Sequence, residues 1–207
     1  MGEISFEIVN RADHVDPIDV VIYQRNGPLG NGSLPVALES YTLHRFSKTE
    51  FNIDPHLAVT ASLTDNRSLI SIAVKLGQLV NIEGEPGKIR LSLDKHPVNP
   101  AGTVSVVNKS ANNDVTLDLC RGLHPLMRRD EFPQYYAVVF DVVESFWIGV
   151  SSQKVQPGQV LSGEVLAELN AEIGYQGISS ASIVIKGGGT GRNAQPYNFD
   201  LENVKEQ

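Results

Sequence analysis

A single cysteine, Cys120, leaves no partner for a disulfide within the chain, which fits a reducing compartment. Aromatic side chains are scarce, at 7% with one tryptophan. No apolar run approaches the roughly 20 residues a membrane-spanning helix needs. Positive charge is also short. Seventeen Lys and Arg stand against 24 Asp and Glu, a formal net charge of −7. A phosphate backbone is repelled by such a protein unless a local basic stripe exists, and Met127-Arg128-Arg129 is followed at once by Asp130 and Glu131. Nucleic acid is therefore not expected as a partner. The stretch from Met1 to Val15 has no basic region leading into an apolar segment, so no secretory signal is legible and the cytoplasm is the expected location.

Catalytic signatures are missing as well. The chain contains no G-x-S-x-G elbow, and Cys120 beside Arg121 reads as a small buried hydrophobe at a strand end. His14, His44, His56, His96 and His124 are scattered, with none of the short spacings that hold zinc or iron. Asp13, Asp16 and Asp19 lack the glycine-hinged spacing of a calcium loop and read as a solvated turn. No catalytic residue, metal or cofactor is expected.

What the sequence does contain is a succession of short β-branched or aromatic stretches bounded by Gly, Pro, Asn or Asp. Ile4–Val9 alternates Ile4, Phe6 and Ile8 with Ser5 and Glu7, and Ile89, Leu91 and Leu93 alternate with Arg90 and Ser92. Asn26-Gly27-Pro28, Asn31-Gly32, Asp65-Asn66 and Glu85-Pro86-Gly87 punctuate them. Such closely spaced turn signals predict an all-β protein, a two-sheet β-sandwich with at most one or two short helices. Residues 160–175 satisfy both helical and strand periodicity; a short helix followed by a strand over Glu172–Tyr175 is the expectation.

The chain also echoes itself. Ile8-Val9-Asn10-Arg11, a polar gap and Asp19-Val20-Val21-Ile22 match Val106-Val107-Asn108-Lys109, a gap and Asp114-Val115-Thr116-Leu117. Phe51 and Phe140 likewise precede Leu57–Ser62 and Phe146–Ser151. The reading is two related β units, 1–96 and 103–207, divided around Pro97–Gly102, with one continuous domain as the alternative. Strand–turn–strand stretches resemble one another in any case, so this is an expectation to test.

Two stretches stand out as candidate sites. Gly189-Thr190-Gly191-Arg192-Asn193-Ala194 matches G-x-G-x-x-A, but a strand-like Tyr197–Leu201 follows where a dinucleotide fold needs a helix and a second parallel strand. A narrower possibility survives: glycine amides flanked by Lys186 and Arg192 holding an anion around Gly189. The aromatics Tyr135, Trp147 and Tyr197, set among Asn, Asp and Gln, are the candidates for stacking on a ligand. Together these point to a soluble, acidic, non-catalytic binding or interaction module. Its partner would be a peptide, a protein or a carbohydrate, and a homo-oligomer is compatible. The alternatives are a membrane-active or oligomerising β protein, disfavoured by the acidic charge and few aromatics, or an enzyme whose site is assembled from distant strands.

Overall fold

The computed structural model describes residues 2–13, 16–63, 66–95, 99–112, 114–169 and 171–207, leaving aside the side chains of 66–68 and 193. His14, His96 and the Pro97–Val98 part of the expected boundary lie outside the described residues. Among the described residues the fold is nearly all β, with four sheets and one short α-helix.

The chain condenses into two compact units that interleave along the sequence. Unit 1 takes residues 1–23, 37–55 and 144–207; unit 2 takes 24–36 and 56–143. Each holds two sheets.

In unit 1, one sheet has the order β17 (Gln195–Glu206), β16 (Ile178–Gly188), β1 (Ile4–Asn10), β5 (Lys48–Ile53). The other runs β15 (Ala171–Gly174), β14 (Ser145–Ser151), β2 (Ile18–Tyr23), β4 (Ala37–Leu43). Alternation in β1 buries Ile4, Phe6 and Ile8 and leaves Ser5, Glu7 and Val9 less covered. Rings from both sheets interlock in the core. Phe146 of β14 meets Phe6 of β1 and Phe51 of β5 edge-on, at centroid distances of 5.2 and 5.3 Å. The ambiguous stretch resolves into α1 (Gly163–Glu168) and then β15, with Ser162 capping the Val165 N–H. Helix and strand periods coexist there because both are used.

In unit 2, one sheet is β13 (Ala137–Asp141), β10 (Thr103–Asn108), β8 (Leu79–Glu83), β9 (Arg90–Leu93). The other is β3 (Leu34–Pro35), β12 (His124–Phe132), β11 (Val115–Arg121), β6 (Leu57–Leu63), β7 (Asn66–Val74). Val80, Ile82, Val104, Val106 and Phe140 of the first and Val59, Ala61, Val115, Leu117, Leu119, Leu126 and Phe132 of the second are fully or almost fully buried. The segment before β4 runs along β13: Asn26 and Asn31 exchange hydrogen bonds with Val139 and Asp141. This covers a sheet edge that would otherwise expose unpaired amides.

Strand β12 is absent from the periodicity reading, because charged Arg128–Glu131 masks any alternation. The structure corrects the charge assignment there too. Arg128 is held by Asp118 on the neighbouring strand through two hydrogen bonds of 2.8 and 3.0 Å, so the local acids Asp130 and Glu131 are not its main partners. Among the described residues no helix is long and apolar enough to cross a membrane.

Candidate functional site

Among the described residues the most exposed aromatic side chains sit at one kind of turn, and an aromatic holds its third position once in each unit. In unit 1 it joins β4 to β5: the Ser47 N–H donates to the His44 carbonyl at 3.0 Å, and Phe46 adopts φ +65°. In unit 2 it joins β12 to β13: the Tyr136 N–H donates to the Pro133 carbonyl at 3.4 Å, and Tyr135 adopts φ +65°. A positive φ at the third turn position ordinarily selects glycine or asparagine. Placing an aromatic there costs on the order of 1 kcal/mol. Both rings nevertheless face solvent, Phe46 at 71% and Tyr135 at 79% exposure.

Each turn is held by a buried asparagine at the end of an inner strand of its sheet, Asn10 on β1 and Asn108 on β10. The Phe46 N–H donates to the Asn10 carbonyl at 2.7 Å and the Asn10 N–H to the Ser47 carbonyl at 3.0 Å. Asn10 Nδ2 donates to the Leu43 carbonyl, while its Oδ1 accepts the Ala12 N–H. Unit 2 repeats the set. Tyr135 N–H donates to the Asn108 carbonyl at 2.7 Å and Asn108 N–H to the Tyr136 carbonyl at 3.0 Å. Asn108 Nδ2 donates to the carbonyls of Phe132 and Asn112, and its Oδ1 accepts from the N–H and hydroxyl of Ser110. Buried amides with full partners fix a backbone firmly. These turns are rigid mounts, so ordering them on binding would cost little.

The surroundings differ. Arg45 lies over the Phe46 ring, 4.8 Å from its centroid, and pairs with Asp13 at 2.6 Å. Tyr135 is followed by Tyr136, itself 61% exposed, so unit 2 offers two adjacent rings.

Of the residues singled out in the sequence, Tyr135 is the one at such a turn. Phe46 escaped notice because it reads as the last residue of a strand. Its sequence signal is its place opposite Tyr135 once the two echoes are aligned on Phe51 and Phe140. Lys186, Gly189, Arg192 and Tyr197 share the β16–β17 hairpin of unit 1. Lys186 donates to Asp200 at 2.8 Å and Glu202 at 3.1 Å, partners that hold its pKa above the ordinary lysine value. Its charge is thus already met by strand β17. Gly189 has φ +88°, and Arg192 is exposed on a three-residue 3₁₀ turn, Gly191–Asn193. The glycines serve close approach. A Cβ on Gly187 would collide with the Pro196 carbonyl, and one on Gly188 would sit 3.0 Å from the Tyr197 ring. Tyr197 is partly buried, which raises its hydroxyl pKa.

Trp147 is half-buried rather than displayed. It packs against the cluster of Val21, Tyr23, Ala37, Val155, Leu161, Val165 and Leu169, with its ring 6.5 Å from that of Tyr23. Cys120 is buried, 3.6 Å from the Thr60 hydroxyl, and burial pushes its thiol pKa up, away from the thiolate a nucleophile needs. Among the described residues no group of three or more His, Cys, Asp or Glu side chains converges as a metal site.

These features define an all-β protein with two units, each bearing an exposed aromatic on a clamped turn. Compared with family models, curated proteins and solved structures, the chain matches none.

Proposed function

We propose that this chain is a non-catalytic binding module in which one β unit occurs twice, each copy presenting a rigid aromatic turn to a peptide, protein or carbohydrate ligand. One observation carries the reading: the same unfavourable arrangement, an exposed ring at φ +65° over a buried asparagine clamp, appears in both units. A feature that costs folding free energy twice, at the same structural position, is what a binding role would retain. Flat, preorganised aromatic faces suit a sugar ring or an apolar peptide side chain, with backbone and amide groups nearby for hydrogen bonds.

The test separates binding from folding. Glycine relieves the strained φ, so Tyr135→Gly and Phe46→Gly should leave stability unchanged or raise it by about 0.5 kcal/mol. Wild type and both variants would be screened on a glycan array and against a displayed peptide library. The reading expects a specific wild-type binder that loses affinity at least tenfold in Tyr135→Gly. No binder on either screen, or a binder that both variants keep, overturns it.

A further inference from the structure

We infer that the chain consists of two tandem eight-strand repeats that have exchanged halves, so that neither compact unit belongs to one repeat. The first repeat is β1, β2, β4, β5, β6, β7, β8 and β9; the second is β10 to β17, in the same order, with β3 lying in a segment extra to the first. The assignment stands on pairing and register, and it is independent of what the aromatic turns bind.

Strand β1 is antiparallel to β5 and parallel to β16; β10 is antiparallel to β13 and parallel to β8. Asn10 lies opposite Ile185 and Asn108 opposite Ile82, while Val9 meets Lys48 and Val107 meets Ala137. Strand β2 sits between β14 and β4, as β11 sits between β6 and β12. Even a defect recurs: a register shift between Ile22 and Tyr23 in the β2–β4 pair, and between Leu119 and Cys120 in β11–β12.

The two parallel partners end alike. Asp13 N–H donates to the Gly187 carbonyl and Ala111 N–H to the Gly84 carbonyl, at 2.8 and 3.1 Å. Both glycines have positive φ. A Cβ on either would strike a carbonyl of the returning chain, that of Pro196 in β17 or of Lys88 just before β9. The glycine run that resembles a nucleotide motif is therefore one copy of a hairpin device whose other copy, around Gly84, carries no such motif.

The order of elements now forces the exchange. In each repeat the first four strands precede the last four in sequence, yet β1, β2, β4 and β5 complete the sheets of β14–β17, and β10–β13 complete those of β6–β9. The crossings are made by Asp54-Pro55-His56 and by Val142-Val143-Glu144, three residues each between flanking strands. Hinges this short disfavour folding back within the same repeat, a known route to strand exchange.

Exchange has a consequence that separate repeats lack: cutting the chain between repeats cannot separate folded halves. A protease site would be inserted in 96–98, between β9 and β10, in a full-length protein tagged at its N-terminus, and cleaved after folding. The untagged half should stay on the affinity resin in native buffer, and the nicked pair should elute at the mass of the intact chain. In rising urea it should leave the resin only as the far-ultraviolet circular dichroism of its strands is lost. The unfolding midpoint should fall on hundredfold dilution of the nicked protein but not of the intact one. Release of a half that keeps its β signal overturns the inference. Should the inserted site prevent folding, Ser5→Cys with Ser180→Cys tests the intact chain, since these residues face each other across β1 and β16. Oxidation should join them, while Cys120 is buried. A chain that forms no such link under oxidising conditions overturns the exchange equally.

Discussion

Val21 and Tyr23 on β2 of unit 1 correspond, by strand pairing, to Asp118 and Cys120 on β11 of unit 2, and Gly149 on β14 to Thr60 on β6. In unit 1 this face is apolar and the chain covers it. The connection from β14 to β15 spans 152–170, brings α1 across, and buries Val155, Leu161, Val165 and Leu169 against Val21, Tyr23 and Ala37. A Cβ on Gly149 would lie 2.6 Å from the Leu169 backbone, which is why that position carries no side chain. In unit 2 the matching strands β6 and β7 lie only two residues apart in sequence, too few for a helical strap between them. The face is instead closed by its own polar contacts, with Arg128 gripping Asp118 and Thr60 against Cys120. The lesson is physical: apolar side chains on the outward face of a sheet require a second layer, whereas a satisfied ion pair does not.

The largest effects should come where the units agree. Asn108→Ala leaves the Phe132 and Asn112 carbonyls and the Ser110 N–H without their buried partner, and should destabilise by about 3 kcal/mol. Asn10→Ala removes two such bonds and should cost about 2 kcal/mol. Urea unfolding measures both, and equal losses would break the ranking. The strap comes next. Leu169→Ala empties a fully buried site in unit 1 and should cost about 2–3 kcal/mol, with a red shift in the emission of Trp147, the one tryptophan. An unchanged emission maximum would mean the strap does not cover that ring. In unit 2, Asp118→Ala strips a partly buried guanidinium of its partner and should cost about 1–2 kcal/mol. Replacing both with Leu should recover most of that loss.

The smallest expected effect is a pH dependence of the strap in unit 1. Hydrogen bonds from the Ser152 hydroxyl, then its N–H and the Ser151 hydroxyl, hold the Glu168 carboxyl below its ordinary value. A depressed folded-state pKa gives stability that is present above the unfolded value and lost as pH falls through the folded one. Acidification below about pH 4 should therefore loosen the strap, read by Trp147 emission, and Glu168→Gln should flatten that transition. A transition of the same size in Glu168→Gln would assign it to another carboxylate.

Much of this was legible in the residues. The alternation of Ile4, Phe6 and Ile8 and the turn residues around Asn26, Asn31 and Pro86 lead to an all-β chain, because burying one face of a sheet imposes a period of two whatever the partner. The echo of Ile8-Val9-Asn10 in Val106-Val107-Asn108 marks the two asparagines that clamp the aromatic turns. Strand β12 stayed hidden because Arg128 is stabilised by Asp118 ten positions away, and such a partner leaves no mark on local periodicity. Trp147 shows the same limit. Its alternation with Phe146 implies a second layer, but not that α1 supplies it.

Sequence by itself thus determined the kind of element most stretches form, β12 excepted, and where the chain resembles itself, since propensity, alternation and turn chemistry act over a few residues. Tertiary structure alone decided which strands meet. Hydrogen-bond ladders are indifferent to chain order, so β1 pairs equally well with a strand from either repeat, and short hinges and packing select between them. The same long-range choice displays Tyr135 and Phe46 on clamped turns while it covers Trp147.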